Sequence, residues 1–209
     1  MSAVAESHQS YDLGDVPLIV RSSIKLGIIT AIVVFAFSLV SRYLSGTAEV
    51  ALQAVLLVVG AALVAGLPAV WTKARTGDGI AAAAGLGLGA TVAFMAIDVI
   101  LLQRIGTYTN RWLEIGGGSN WWYHPVWWMA GTFLAWMGAI VLANQASGTG
   151  SPSIPRMMVT AIVSAVAVGV VAVIIGFPGA AWSFPTFGIA LLPGFAIAAL
   201  VSTMGRRRA

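Results

Sequence analysis

Two residues of this chain have both the chemistry and the placement to do more than pack: Asp98 and His124. Asp98 lies in AFMAIDVILLQR, inside an otherwise apolar run. An ionisable side chain there is costly and points to an ion, a proton path, a ligand or a structural ion pair. His124 lies in SNWWYHPVWW, residues 119 to 128, which has five aromatic residues in ten. Trp and Tyr favour a membrane boundary, where the ring is apolar and the N–H or O–H stays wet. The same residues, with a few placed polar groups, would also wall a small-molecule pocket. The candidate contact set is Asp98, Arg104, Tyr108, Arg111, Trp112, Trp121, Trp122, Tyr123, His124, Trp127, Trp128, Thr132 and Trp136. Trp128, Thr132 and Trp136 recur every fourth residue and share one helix face.

Other chemistry is missing. The chain has no cysteine, so disulfides, thiolate metal sites and cysteine nucleophiles are excluded. Its two histidines are His8, in the polar N-terminal tail, and His124, too few and too far apart for a bis-histidine haem. GGGSN (residues 116 to 120) makes a pliable segment, but neither GxGxxG nor GxxxxGK occurs. HExxH and GxSxG are also absent. The sequence therefore leads us to expect no cofactor, no metal and no catalytic centre.

The elements that must carry these residues are membrane helices. Of 209 residues, 59% are hydrophobic and 9% charged, against roughly 25% charged in a soluble domain. Mean hydropathy is +0.92. About 20 apolar residues cross a hydrocarbon core, and six such runs are expected: 24–44, 50–71, 79–103, 122–144, 157–177 and 184–204. The fold class is thus an all-α, six-helix transmembrane bundle. Residues 1–20 read as a flexible polar tail, 21–205 as one transmembrane domain and 206–209 as a basic tail. Asp98 sits roughly 8 Å inside its span end at 1.5 Å per residue. Arg104, six positions on, is about 240° round the helix and would have to snorkel to reach it.

The net charge is +4 and the pI about 10.0. With no soluble basic domain, nucleic acid is not an expected partner. The basic residues instead set orientation. Arg21, Lys25, Lys73, Arg75, Arg156, Arg206, Arg207 and Arg208 would share one side, against Arg42, Arg104 and Arg111 on the other. That balance puts both termini in the cytoplasm and the 104–121 loop outside, in the plasma (inner) membrane of a prokaryote.

Small residues at four-residue spacing let helices approach closely. Gly85, Gly89 and Ala93 form such a row in the third span, and Gly131, Ala135 and Ala139 one in the fourth. Pro193-Gly194 and Pro68 interrupt two other spans and are candidate hinges. Abundant packing rows beside few chemical groups lead first to a non-catalytic subunit of a larger membrane assembly. Its expected partners are lipids and other integral-membrane subunits or copies of itself. The alternative is a small-molecule permease or substrate-binding component with a pocket around Asp98 and Trp136.

Overall fold

The structure is a computed structural model that describes residues 16–108 and 123–206. It is all-helical. The helices are α1 (Val16–Tyr43), α2 (Gly46–Trp71), α3 (Gly77–Ile97), α4 (Tyr123–Thr149), α5 (Ile154–Ile174) and α6 (Phe184–Arg206). All six are long and apolar enough to cross a membrane, α3 together with a π-helical extension over Asp98–Leu102.

Two boundaries correct the sequence reading. The chain is already helical at Val16, so residues 16–20 belong to α1 and not to a tail. Pro17 suits a first helical turn, where its missing N–H is no loss, and PLIV is apolar enough to continue the span. Likewise α2 opens at Gly46, four residues earlier than expected, and takes Glu49 into its first turn. A carboxylate there is favoured by the helix dipole. The remaining stops follow local chemistry. Thr76 caps α3 by accepting from the Gly79 N–H at 3.3 Å. Ser153 caps α5 by accepting from Arg156 N–H at 3.4 Å, with Pro155 in the first turn. Gly176 and Gly179, at φ +68° and +80°, make the turn between α5 and α6.

Helix α3 lies between α1 and α4; α4 in turn packs on α2 and α6, and α5 packs mainly on α6. Glycine sets the closest approaches. A Cβ on Gly27 would lie 2.7 Å from Ala93 Cβ, which locks α1 against α3. Gly87 faces Ala135, and Gly131 faces Thr91, so α3 and α4 cross through reciprocal notches. Gly138 abuts the Ala65 carbonyl, and a Cβ on Gly194 would lie 2.6 Å from Ala161 O. Pro193-Gly194 is therefore a close α5–α6 crossing, whatever hinge its sequence suggests.

The expected packing rows are thus largely at contacts: Gly89 meets Ser23, Ala93 meets Gly27, and Ala135 and Ala139 are fully buried. Gly85 departs from the expectation. It is exposed, and no heavy atom stands within 4 Å of where its Cβ would be. Register explains this. The α3 face that meets α4 runs through Gly87 and Thr91, which turns Gly85 outward. The largest core cluster is built of small residues of α2, α4, α5 and α6, including Ala65, Ala139 and Ala161, around Phe195 and Met157.

Candidate functional site

The end of the bundle that carries the α1–α2 turn and the α3–α4 connection holds most of the unusual chemistry. Asp98 is fully buried, at 0% exposure. It opens the π-turn, in which its carbonyl accepts from the Gln103 N–H five residues on, at 2.9 Å. Single π-turns recur at functional positions because they swing side chains out of α-helical register. Here the effect is specific. Five residues along a straight α-helix is about 140° of rotation, which would point Gln103 away from Asp98. Across the π-turn, Gln103 Nε2 instead donates to Asp98 Oδ2 at 3.0 Å.

The chain then reverses. Thr107 N–H donates to Leu102 O at 3.0 Å, and Gly106 takes a left-handed φ of +67° that a side chain would resist. Arg42, at the end of α1, donates to Gly106 O and pins this reversal. The reversal brings Tyr108 back over α3, where its hydroxyl donates to Asp98 Oδ1. His124, in the first turn of α4, places Nε2 3.6 Å from Asp98 Oδ2 and 3.4 Å from Gln103 Nε2. A neutral Nε2 accepts from Gln103; a protonated one faces the carboxylate. The His124 side chain is 24% exposed while Asp98 is sealed, so the imidazole is the outward face of the cluster. Asp98 thus accepts hydrogen bonds from Gln103 and Tyr108 and faces His124 of α4 across 3.6 Å. Among the described residues no group of three metal-ligating side chains forms.

One turn deeper, Phe94 meets Trp127 edge to face, with ring centroids 5.2 Å apart and planes at 72°. Trp127 follows His124 by three residues on the same face of α4. Its indole N–H, like the Thr107 hydroxyl, is buried without a hydrogen-bond partner among the described residues. Such a group carries a desolvation cost of about 1–3 kcal/mol.

Trp127 also lines three adjoining cavities. One of 220 Å³ lies between α1, α2 and α4, bounded by Thr30, Val33, Gly60 and Val64. One of 490 Å³ lies between α1, α2, α4 and α6, bounded by Ser41, Glu49, Gln53, Phe184 and Pro185. Phe37, Leu57, Ala61, Trp127 and Leu134 line both and form the wall between them. A third, of 60 Å³, runs under Phe94 beside Thr91 and Gly131. Glu49 and Gln53 are 8% and 9% exposed, and Gln53 Nε2 donates to Glu49 Oε1 at 3.2 Å.

The residues expected in one pocket therefore separate into groups. Asp98, Tyr108, His124 and Trp127 come together. Arg104 is exposed and is not among the donors that Asp98 uses. Trp128 and Trp136 are 39% and 50% exposed and, with the half-buried Thr132 between them, form the outward face of α4. Trp136 is three helical turns from His124, about 18 Å along the axis, and neither it nor Asp98 lines the three cavities beside Trp127. Arg111, Trp112, Trp121, Trp122 and the side chain of Tyr123 lie outside the described residues. Sequence reasoning missed Gln103, Thr107, Glu49 and Gln53. The Glu49–Gln53 spacing of four was a usable signal; the π-turn that recruits Gln103 has none in the residue types.

Comparison with protein-family models, curated proteins and solved structures finds no match to this chain.

Proposed function

We propose that this chain is a non-catalytic membrane component that binds a small molecule within the bundle, as a permease or as the substrate-binding part of one. The observation that carries the reading is the pair of adjoining cavities walled by Phe37, Leu57, Ala61, Trp127 and Leu134. The 490 Å³ of the larger one and the apolar walls of both, with a few polar groups at one end, match the usual make-up of a small-molecule site. In this reading the Asp98–Gln103–Tyr108–His124 cluster is the frame. It fixes α3 to α4 beside Phe94 and so holds Trp127 at the cavity wall. The positive-inside balance supports both termini in the cytoplasm of a prokaryotic cell, with the cluster and the larger cavity on the outer side.

The test is native mass spectrometry of the chain released from nanodiscs, with its small molecules extracted and identified. Wild type is expected to carry a discrete small-molecule adduct. Leu57→Trp, which fills the wall shared by the two cavities, is expected to lose it while staying monodisperse. An adduct that survives Leu57→Trp would sink the reading.

A second reading has one observation in its favour. Gly85 presents an open small-residue notch on the outer face of α3, with Ala81 one turn away and also exposed. A helix of another subunit, or of a second copy, would fit there. Under this reading Gly85→Leu breaks a complex that survives mild detergent; an unchanged complex, or a monomer in both cases, dismisses it.

A further inference from the structure

The smaller of the two adjoining cavities, of 220 Å³ between α1, α2 and α4, has a wall of its own kind. Each of its lining residues is buried or half-buried, so it lies inside the bundle and not on the lipid-facing surface. Among the described residues its lining holds two side chains with a polar atom, Thr30 and Trp127. The Thr30 hydroxyl donates back to Leu26 O at 2.8 Å. The Trp127 nitrogen is itself buried, so that residue shows the cavity ring carbon. Ser41, Glu49 and Gln53, which line the larger cavity, do not line this one. Val33, Leu63, Val64 and Leu134 make up much of the remaining wall. Water settles in a cavity only with about two to four polar partners, and an apolar void of about 150 Å³ stays dry and binds benzene or xenon. A dry void also forfeits the dispersion contacts that its lining would otherwise make.

We infer that the cavity between α1, α2 and α4 stays dry and takes an uncharged apolar molecule of the size of a substituted benzene. This rests on the reading of the adjoining cavities as a ligand site and adds to it the size and class of what the smaller one holds. Such an occupant restores the missing contacts with Val33, Leu63, Val64 and the Trp127 ring. A charged or strongly hydrogen-bonding group would leave its polar atoms unpaired against this wall. A lipid tail needs an open end to enter by, and none of the lining residues stands on the lipid-facing surface.

The experiment is photolabelling of the full chain in nanodiscs with phenyl(trifluoromethyl)diazirine, an uncharged single-ring probe, with the labelled residues mapped by mass spectrometry. Ile32 and Val55, on the same helices, are 63% and 56% exposed and report labelling from lipid. The expected result is saturable labelling of Val33 and Val64 that excess toluene displaces, while labelling of Ile32 and Val55 rises linearly with probe. Leu63→Trp, which fills the space, is expected to abolish the saturable part. Displacement by toluene in the wild type keeps the test open should that variant not fold. Labelling of Val33 and Val64 that rises linearly would overturn the assignment, and the ligand-site reading would then stand or fall on the Leu57→Trp adduct alone. Saturable labelling confined to Phe184 or Leu192 of the larger cavity would overturn the assignment and leave that reading standing. Displacement by benzoate as readily as by toluene would overturn the uncharged class. Labelling of Val33 and Val64 by a diazirine carried on a phospholipid acyl chain, undisplaced by toluene, would make the occupant a lipid and overturn the assignment.

Discussion

The buried Asp98 gives a quantitative test of whether the cluster at the α3–α4 junction is the frame proposed for it. Tyr108→Phe removes only the hydroxyl that donates to Asp98 Oδ1. Side-chain hydrogen bonds inside membrane proteins average about 0.6 kcal/mol and reach about 1.7, while bonds to charged groups contribute about 1.5–3 kcal/mol. Asp98 favours the larger figure, being at 0% exposure and so unable to replace the lost donor with water. Gln103 and His124 both sit on Oδ2, so neither compensates at Oδ1. We expect Tyr108→Phe to cost about 2 kcal/mol, roughly a 30-fold shift in the folding equilibrium. The clean assay is a double-mutant cycle with Asp98→Ala, read by reversible unfolding of the purified chain in mixed micelles. Once the carboxylate is gone, Tyr108→Phe should cost little, leaving a coupling of about 1.5–2 kcal/mol. A coupling below about 0.5 kcal/mol, the level of independent sites, would show that Tyr108 does not hold Asp98 and would refute the frame.

Other outcomes follow from the packing and the charge pattern. Gly138→Ala forces a methyl into the Ala65 carbonyl and should cost about 1–3 kcal/mol as overpacking, seen as a melting temperature lower by several degrees. Gly85→Ala, in open space on α3, should stabilise the isolated chain by about 0.5–1 kcal/mol through helix propensity; a loss of stability there would contradict the open space at that position. The chain has no native cysteine, so single cysteines report topology directly. Ser45→Cys should react with a membrane-impermeant maleimide in intact cells and Arg75→Cys only after lysis; the reverse pattern would invert the orientation.

The six helices are legible because each apolar run is bounded by residues that stop a helix or face water. WTKARTGDG is one such boundary and GFPGAAWSFP another. The helix starts are less legible. Val16–Val20 and Gly46–Glu49 carry polar or charged neighbours that hydropathy alone assigns to loops, yet a helix end tolerates Pro17 and gains from Glu49. The small-residue rows name the crossing faces of α3 and α4, but a row does not say which of its members meets a neighbour, and Gly85 does not. The site follows the same division. A lone acid in a span draws attention to Asp98, and the aromatic re-entry draws attention to His124 and Trp127. The donor from Gln103 depends on the π-turn, a backbone choice made by tertiary packing. Trp136 looks like a pocket residue because it lies deep in its span, whereas the structure turns its face outward.

The proposed function makes the space between α1, α2, α4 and α6 a ligand site. The most direct test is an experimental structure of the chain purified in nanodiscs with the lipids and small molecules it carries. The expected result is discrete non-protein density in that space, bounded by Phe37, Leu57, Trp127 and Phe184. A collapsed or acyl-chain-filled cavity, with a partner helix seated on Gly85, would contradict it and return the protein to a role as a packing subunit.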